Sequence, residues 1–198
     1  MVDGIRVTVP VRTAFDLARR GTLLQAVSAL DVLARGRPDF LDTVTGYIEE
    51  RPRWAGLPQA RRAVRLASPL VRSVRETAFR MFWTLECGLP DPVVNAVVRD
   101  GQARLLGIGD LLDPATGLLG EYDGSQHREE VQHALDNARE EGFEDNGLTV
   151  VRVCNPDLGV FRTRTRQRLL SGHRRAAATP HGCWTWEPGP LPTPVPHW

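Results

Sequence analysis

The sequence predicts an α/β fold, an αβββαβ core preceded by an N-terminal helical annex, and three observations carry that expectation. Apolar residues recur at helical spacing over the first 67 residues. Three β-type runs separated by turn signals follow a capped helix. A polar helix then leads into a final β-branched run.

In the annex, Phe15, Leu17 and Ala18 line one short helix, and Leu23, Leu24, Val27, Leu30 and Leu33 line the next, with Gly21 and Gly36 as punctuation. A third helix is expected over residues 40–50. A fourth, over residues 58–67, exposes Arg61, Arg62 and Arg65. Ser68-Pro69 breaks the pattern, so the annex spans residues 1–67 and the core domain residues 68–175. Ser73 with Glu76 three residues on forms a capping box for a helix carrying Phe79, Phe82 and Trp83, stopped by Gly88 and Pro90. Strands follow at residues 93–99, at 104–112 after an Asp100-Gly101 hairpin turn, and at 118–123 after a five-residue loop. A helix over residues 127–141 and a strand over 148–153 complete the core. A last helix carries Arg162, Arg164, Arg166 and Arg168, and the Pro- and Trp-containing tail at residues 176–198 reads as disordered.

Composition narrows the chemistry. With 198 residues, 41% hydrophobic and 25% charged, the chain has the composition of an ordinary domain with an annex. No apolar run approaches the roughly 18 residues that a membrane span requires. Asp3, Pro10 and Asp16 interrupt the N-terminal stretch where a secretory leader would be apolar, so a cytoplasmic, non-membrane protein is expected. Three widely spaced cysteines form neither a disulfide framework nor a thiolate zinc half-site. All 25 basic residues are arginine, which excludes Schiff-base chemistry, a phosphate-loop lysine and a lysine general base. Residues 1–72 hold 12 Arg against 7 acids, residues 73–158 hold 7 against 16, and residues 159–198 hold 6 against 1. An acidic middle between basic flanks suits a metal site between phosphate-binding surfaces.

A loop centred between Ala115 and Thr116 places Asp110 opposite Glu121 on paired antiparallel strands, and alternation puts Asp123 on the same side as Glu121. Like charges so placed repel unless a cation sits between them. Mg2+ or Mn2+ held by such oxygens would polarise a phosphoryl group and activate water for phosphodiester hydrolysis. His127, four residues beyond Asp123, is placed to act as general acid or base.

The run Gly109-Asp110 to Glu121-Tyr-Asp123-Gly-Ser-Gln-His127, followed by Asp136-Asn-Ala-Arg139-Glu140 and Gly147-Leu-Thr-Val-Val-Arg152-Val153, resembles the domain of unknown function related to very-short-patch-repair endonucleases, in the PD-(D/E)XK nuclease superfamily. The resemblance covers residues 68–158. It implies a restriction-endonuclease-like core and a metal-dependent DNA endonuclease. Asp110 and Glu121 become metal ligands, with Asp123 beside Glu121 on the motif strand, His127 the repair-branch histidine and Glu76 the acid of the first helix. Asp123 stands where the superfamily's general motif has lysine, and Asn95 where relatives often have glutamine. The stretch from Arg6 to Ala18 resembles the middle of longer actinobacterial proteins in which it follows a winged-helix segment like that of AbiEi-type antitoxins. A catalytically idle DNA-binding or antitoxin-like regulator on the same fold is the alternative expectation, since a fold does not guarantee an activity.

Overall fold

Four amphipathic helices open the chain where the apolar spacing places them: α1 (Pro10–Ala18), α2 (Leu23–Ala34), α3 (Asp39–Glu49) and α4 (Leu57–Leu66). The computed structural model describes residues 4–124 and 130–194, without the side chains of residues 130–136. Phe15, Leu30 and Ile48 are buried among a set of alanines, including Ala14, Ala26, Ala60 and Ala63, whose small side chains let the helix axes approach. Thr22 and Gln25 form a reciprocal capping box at the start of α2. Several arginines here have structural partners. Arg12 and Arg19 both bind Asp16, at 2.6 and 2.7 Å, and both lie over the Trp54 ring.

The chain divides into two compact units, Met1–Thr77 with Pro190–Trp198, and Ala78–Gly189. The division falls inside α5 (Val74–Met81) and not near Ser68-Pro69. Asp31 supplies the physical reason: its buried carboxylate accepts from the Ser68 N–H and the Thr77 hydroxyl, both at 2.7 Å, and so ties the start of α5 to the helical unit.

The second unit is a mixed α/β structure around a five-stranded sheet of order β4-β3-β2-β1-β5. Its strands are β1 (Val93–Asp100), β2 (Leu105–Asp113), β3 (Leu118–Asp123), β4 (Thr149–Cys154) and β5 (Trp184–Glu187). β3 and β4 run parallel, and β1, β2, β3 and β5 pair antiparallel where they are neighbours. A π-helical turn (Phe82–Glu86) prolongs α5. Helix α6 (Glu130–Asp145) crosses from β3 to β4, and α7 (Arg162–Ala178) follows a short 3-10 turn. Seven α-helices are thus present among the described residues. Beneath one sheet face lie Phe79 and Trp83, close enough to β3 that a Cβ at Gly120 would stand 2.8 Å from the Phe79 ring. Helix α7 covers the same face further along, where a Cβ at Gly172 would meet Val151 at 2.8 Å. On the opposite face, Phe143 of α6 joins Ala96, Val98, Leu112, Leu119 and Leu148 in a buried cluster.

One local expectation is refined and another is corrected. The β1–β2 hairpin turns at Gly101-Gln102, where the Ala103 N–H donates to the Asp100 carbonyl at 3.0 Å. Asp100 accepts from the Gln102 and Arg104 N–H groups at 2.8 and 2.9 Å, and Ala103 takes the left-handed position with φ 62°. Gly101 answers a second need as well, since a Cβ there would lie 2.9 Å from Cys183. The tail expected to be disordered from residue 176 instead continues α7 to Ala178 and forms β5, which pairs with residues 97–100 of β1. Trp184 packs against the α6-side cluster, and Glu187 binds Arg99 at 3.0 Å. The run Trp-Thr-Trp-Glu has strand character of its own, and β1 presents an edge that it completes.

Candidate active site

The loop between β2 and β3 sets the register of the site. Asp113, almost fully buried, accepts from the Ala115 N–H at 3.1 Å and the Thr116 hydroxyl at 2.7 Å, while Gly117 turns the chain with φ 80°. Leu111 then pairs with Gly120, Leu112 with Leu119 and Asp113 with Leu118, the register expected from the loop length. Beyond Leu111 the side chain of Asp110 takes over from the backbone ladder, and its Oδ2 accepts from the Tyr122 N–H at 2.7 Å.

Asp110 and Glu121 are therefore brought together just past the last paired residues of β2 and β3, Leu111 and Gly120. Glu121 is 8% exposed and lies on the α6 side of the sheet. Its Oε2 accepts from Arg139 Nη2 at 2.6 Å, whereas its Oε1 is buried with no hydrogen-bond partner among the described residues. Burial, and after it the charge of Asp110, push the Glu121 carboxyl up to about 7 against the pull of Arg139 and Arg152. Arg152, opposite Glu121 on β4, is held by Glu140 at 2.6 Å. Three acids and two arginines from three strands and a helix thus share one patch.

The three-carboxylate convergence is not found. No group of three His, Cys, Asp or Glu side chains that could hold a metal stands together among the described residues. Asp123 ends β3 opposite Cys154, and its charge is felt at that thiol, which burial and Asp157 push up. Alternation along β3 keeps Asp123 on the face of Glu121, but the strand carries it toward the Cys154 end. Glu76 belongs to the other compact unit, where its carboxylate accepts from the Arg72 N–H at 2.9 Å and its own N–H donates to Ser73 Oγ at 3.2 Å. His127 lies outside the described residues. Protein-family models, curated proteins and solved structures offer no match to this chain.

Arg139 and Glu140 appear in the sequence as part of a motif without a role. The available signal is the spacing to Phe143: residues i and i+4 of a helix share a face, so the face that buries Phe143 in the sheet also delivers Arg139 to it.

The carboxylate pair fits a hard divalent cation. Mg2+ commonly uses one or two carboxylates and completes its shell with waters and phosphate oxygens. An oxygen buried without a partner is costly, and a ligated cation would relieve it.

Proposed function

We propose that this chain is a metal-dependent DNA endonuclease with a restriction-endonuclease-like core, hydrolysing phosphodiester bonds. The observation that carries the reading is the Asp110–Glu121 pair, with the orphaned Glu121 Oε1 beside it. Support for the core comes from its order, α5, three antiparallel strands, α6 and a parallel β4. Support for DNA comes from α7, whose sequence from Arg162 to Ala178 holds six arginines and no acid. Among the described residues no helix is long and apolar enough to cross a membrane.

In this reading Asp110 and Glu121 hold Mg2+ or Mn2+, which supplies Lewis-acid polarisation of the phosphoryl group. The backbone N–H of Tyr122 orients Asp110, and the buried setting of Glu121 strengthens any charge it meets. The test is nicking of supercoiled plasmid. Wild-type protein nicks with Mg2+ or Mn2+ and not with EDTA, whereas Asp110→Asn binds DNA with wild-type affinity and cleaves at least about 100-fold more slowly. Equal cleavage by the variant, or wild-type protein that binds DNA and never nicks it, would sink the enzyme reading.

One observation favours a second reading, a catalytically inactive DNA-binding or antitoxin-like regulator on the same fold. The Arg139 guanidinium already neutralises one Glu121 oxygen, as a retired site would require. DNA binding that is indifferent to divalent ions and to Asp110→Asn distinguishes it.

A further inference from the structure

Hydrolysis of a phosphodiester concentrates negative charge on the non-bridging phosphoryl oxygens, and a preorganised cation beside the reacting phosphorus stabilises it. The chain has no lysine, and the residue two positions beyond Glu121 is the anion Asp123. The cations that reach the carboxylate pair come from elsewhere in the fold. Arg152 is engaged by Glu140. Arg139 differs, because its one bond is to Glu121 Oε2 and its other guanidinium donors meet no acceptor among the described residues. Its side chain is 36% exposed, so these donors can meet a ligand from solvent. A planar fork of five N–H donors matches phosphate oxygens.

The route by which Arg139 arrives is built into β2. A Cβ at Gly107 would lie 2.9 Å from Arg139 Cδ and 2.9 Å from Phe143 Cζ, so the missing side chain leaves the channel in which the arginine stem runs. Phe143, one turn further along α6 and 1% exposed, anchors that face of the helix.

We infer that Arg139 is a phosphate-binding catalytic residue: parked on Glu121 in the free protein, it offers its remaining donors to a non-bridging oxygen of the DNA phosphodiester. This deepens the nuclease reading and rests on it. In the reaction a water oxygen bonds to phosphorus, one P–O ester bond breaks, and the proton lost by the water is balanced by one gained, through solvent, at the leaving oxygen. Arg139 exchanges no proton and acts by charge and hydrogen bonding.

The experiment compares wild type, Arg139→Ala, Arg139→Lys and Gly107→Ala in steady-state DNA cleavage, together with calorimetric Mn2+ titration in the absence of DNA. Arg139→Ala should lower kcat on the order of 100-fold with a smaller change in KM. The same variant should bind Mn2+ more tightly, because the guanidinium no longer competes for Glu121 Oε2. Arg139→Lys should recover part of kcat. Gly107→Ala, which keeps the arginine but fills its channel, should lower kcat as well and stands in if Arg139→Ala lacks a cooperative thermal transition. A purely structural arginine would change stability without tightening Mn2+ binding. Wild-type kcat in Arg139→Ala or in Gly107→Ala, or weaker Mn2+ binding in Arg139→Ala, overturns the assignment while the nuclease reading stands. Wild-type protein that never nicks removes both.

Discussion

Glu121 concentrates what single residues contribute here. Its folded-state carboxyl titrates at about 7, pushed up first by burial and then by Asp110, so the folded protein holds this proton more tightly than the unfolded chain does. The sign follows: the stabilisation is complete below the ordinary carboxylate range and is lost as pH rises toward 7. In EDTA, Glu121→Gln should therefore gain on wild type by on the order of 3 kcal/mol between pH 4 and pH 8. Urea unfolding at the two pH values measures it, and a difference that does not change with pH would show an ordinary carboxyl. Both members of the acid pair were legible in the sequence, because a five-residue loop and a period of two determine which side chains face one another. Arg139 was not, since which turn of α6 meets β3 depends on how Phe143 seats in the sheet.

At the scale of elements, the tail shows how a partner distant in sequence decides local structure. Residues 184–187 find their hydrogen bonds on β1, and just beyond them the chain runs so close to β1 that a Cβ at Gly189 would collide with the Asn95 carbonyl oxygen. Proline-rich flanks speak for disorder, yet four residues of strand character suffice once an edge is waiting. Trp184→Ala should cost about 2 kcal/mol, less than a fully buried tryptophan, because the ring is only partly covered by the α6-side cluster. A urea midpoint unchanged from wild type would show that β5 contributes nothing to the second unit. The hairpin makes the same point in miniature. Asp100-Gly101 announces a turn and Gly101-Gln102 form it, but the left-handed residue is Ala103, while Cys183 passes too close for a Cβ at Gly101.

For the whole molecule, the segregation of charge acquires a structural meaning. The acids of the middle segment include the pair on β2 and β3, and the basic C-terminal segment is largely one helix. Arg162 and Arg168 of α7 are engaged by Glu86 and Asp157, while Arg164 and Arg175 are exposed and form no ion pair among the described residues. If α7 tracks a phosphate backbone, the double variant Arg164→Ala/Arg175→Ala should bind duplex DNA more weakly and reduce the salt slope of the affinity by about 2. Fluorescence anisotropy across a salt series reads this out. An unchanged slope would move the DNA contact away from α7.

The sequence by itself determined the helical first stretch, the helix, three-strand, helix, strand order, the β2–β3 register and hence the meeting of Asp110 with Glu121. Each rests on local periodicity, capping or loop length, which act between near neighbours in the chain. Tertiary structure alone decided that Asp31 draws the unit boundary into α5, that β5 closes the β1 edge, and that Arg139 rests on Glu121. Those outcomes depend on surfaces formed by residues far apart in sequence. They take shape only when packing has chosen which face of each element is buried.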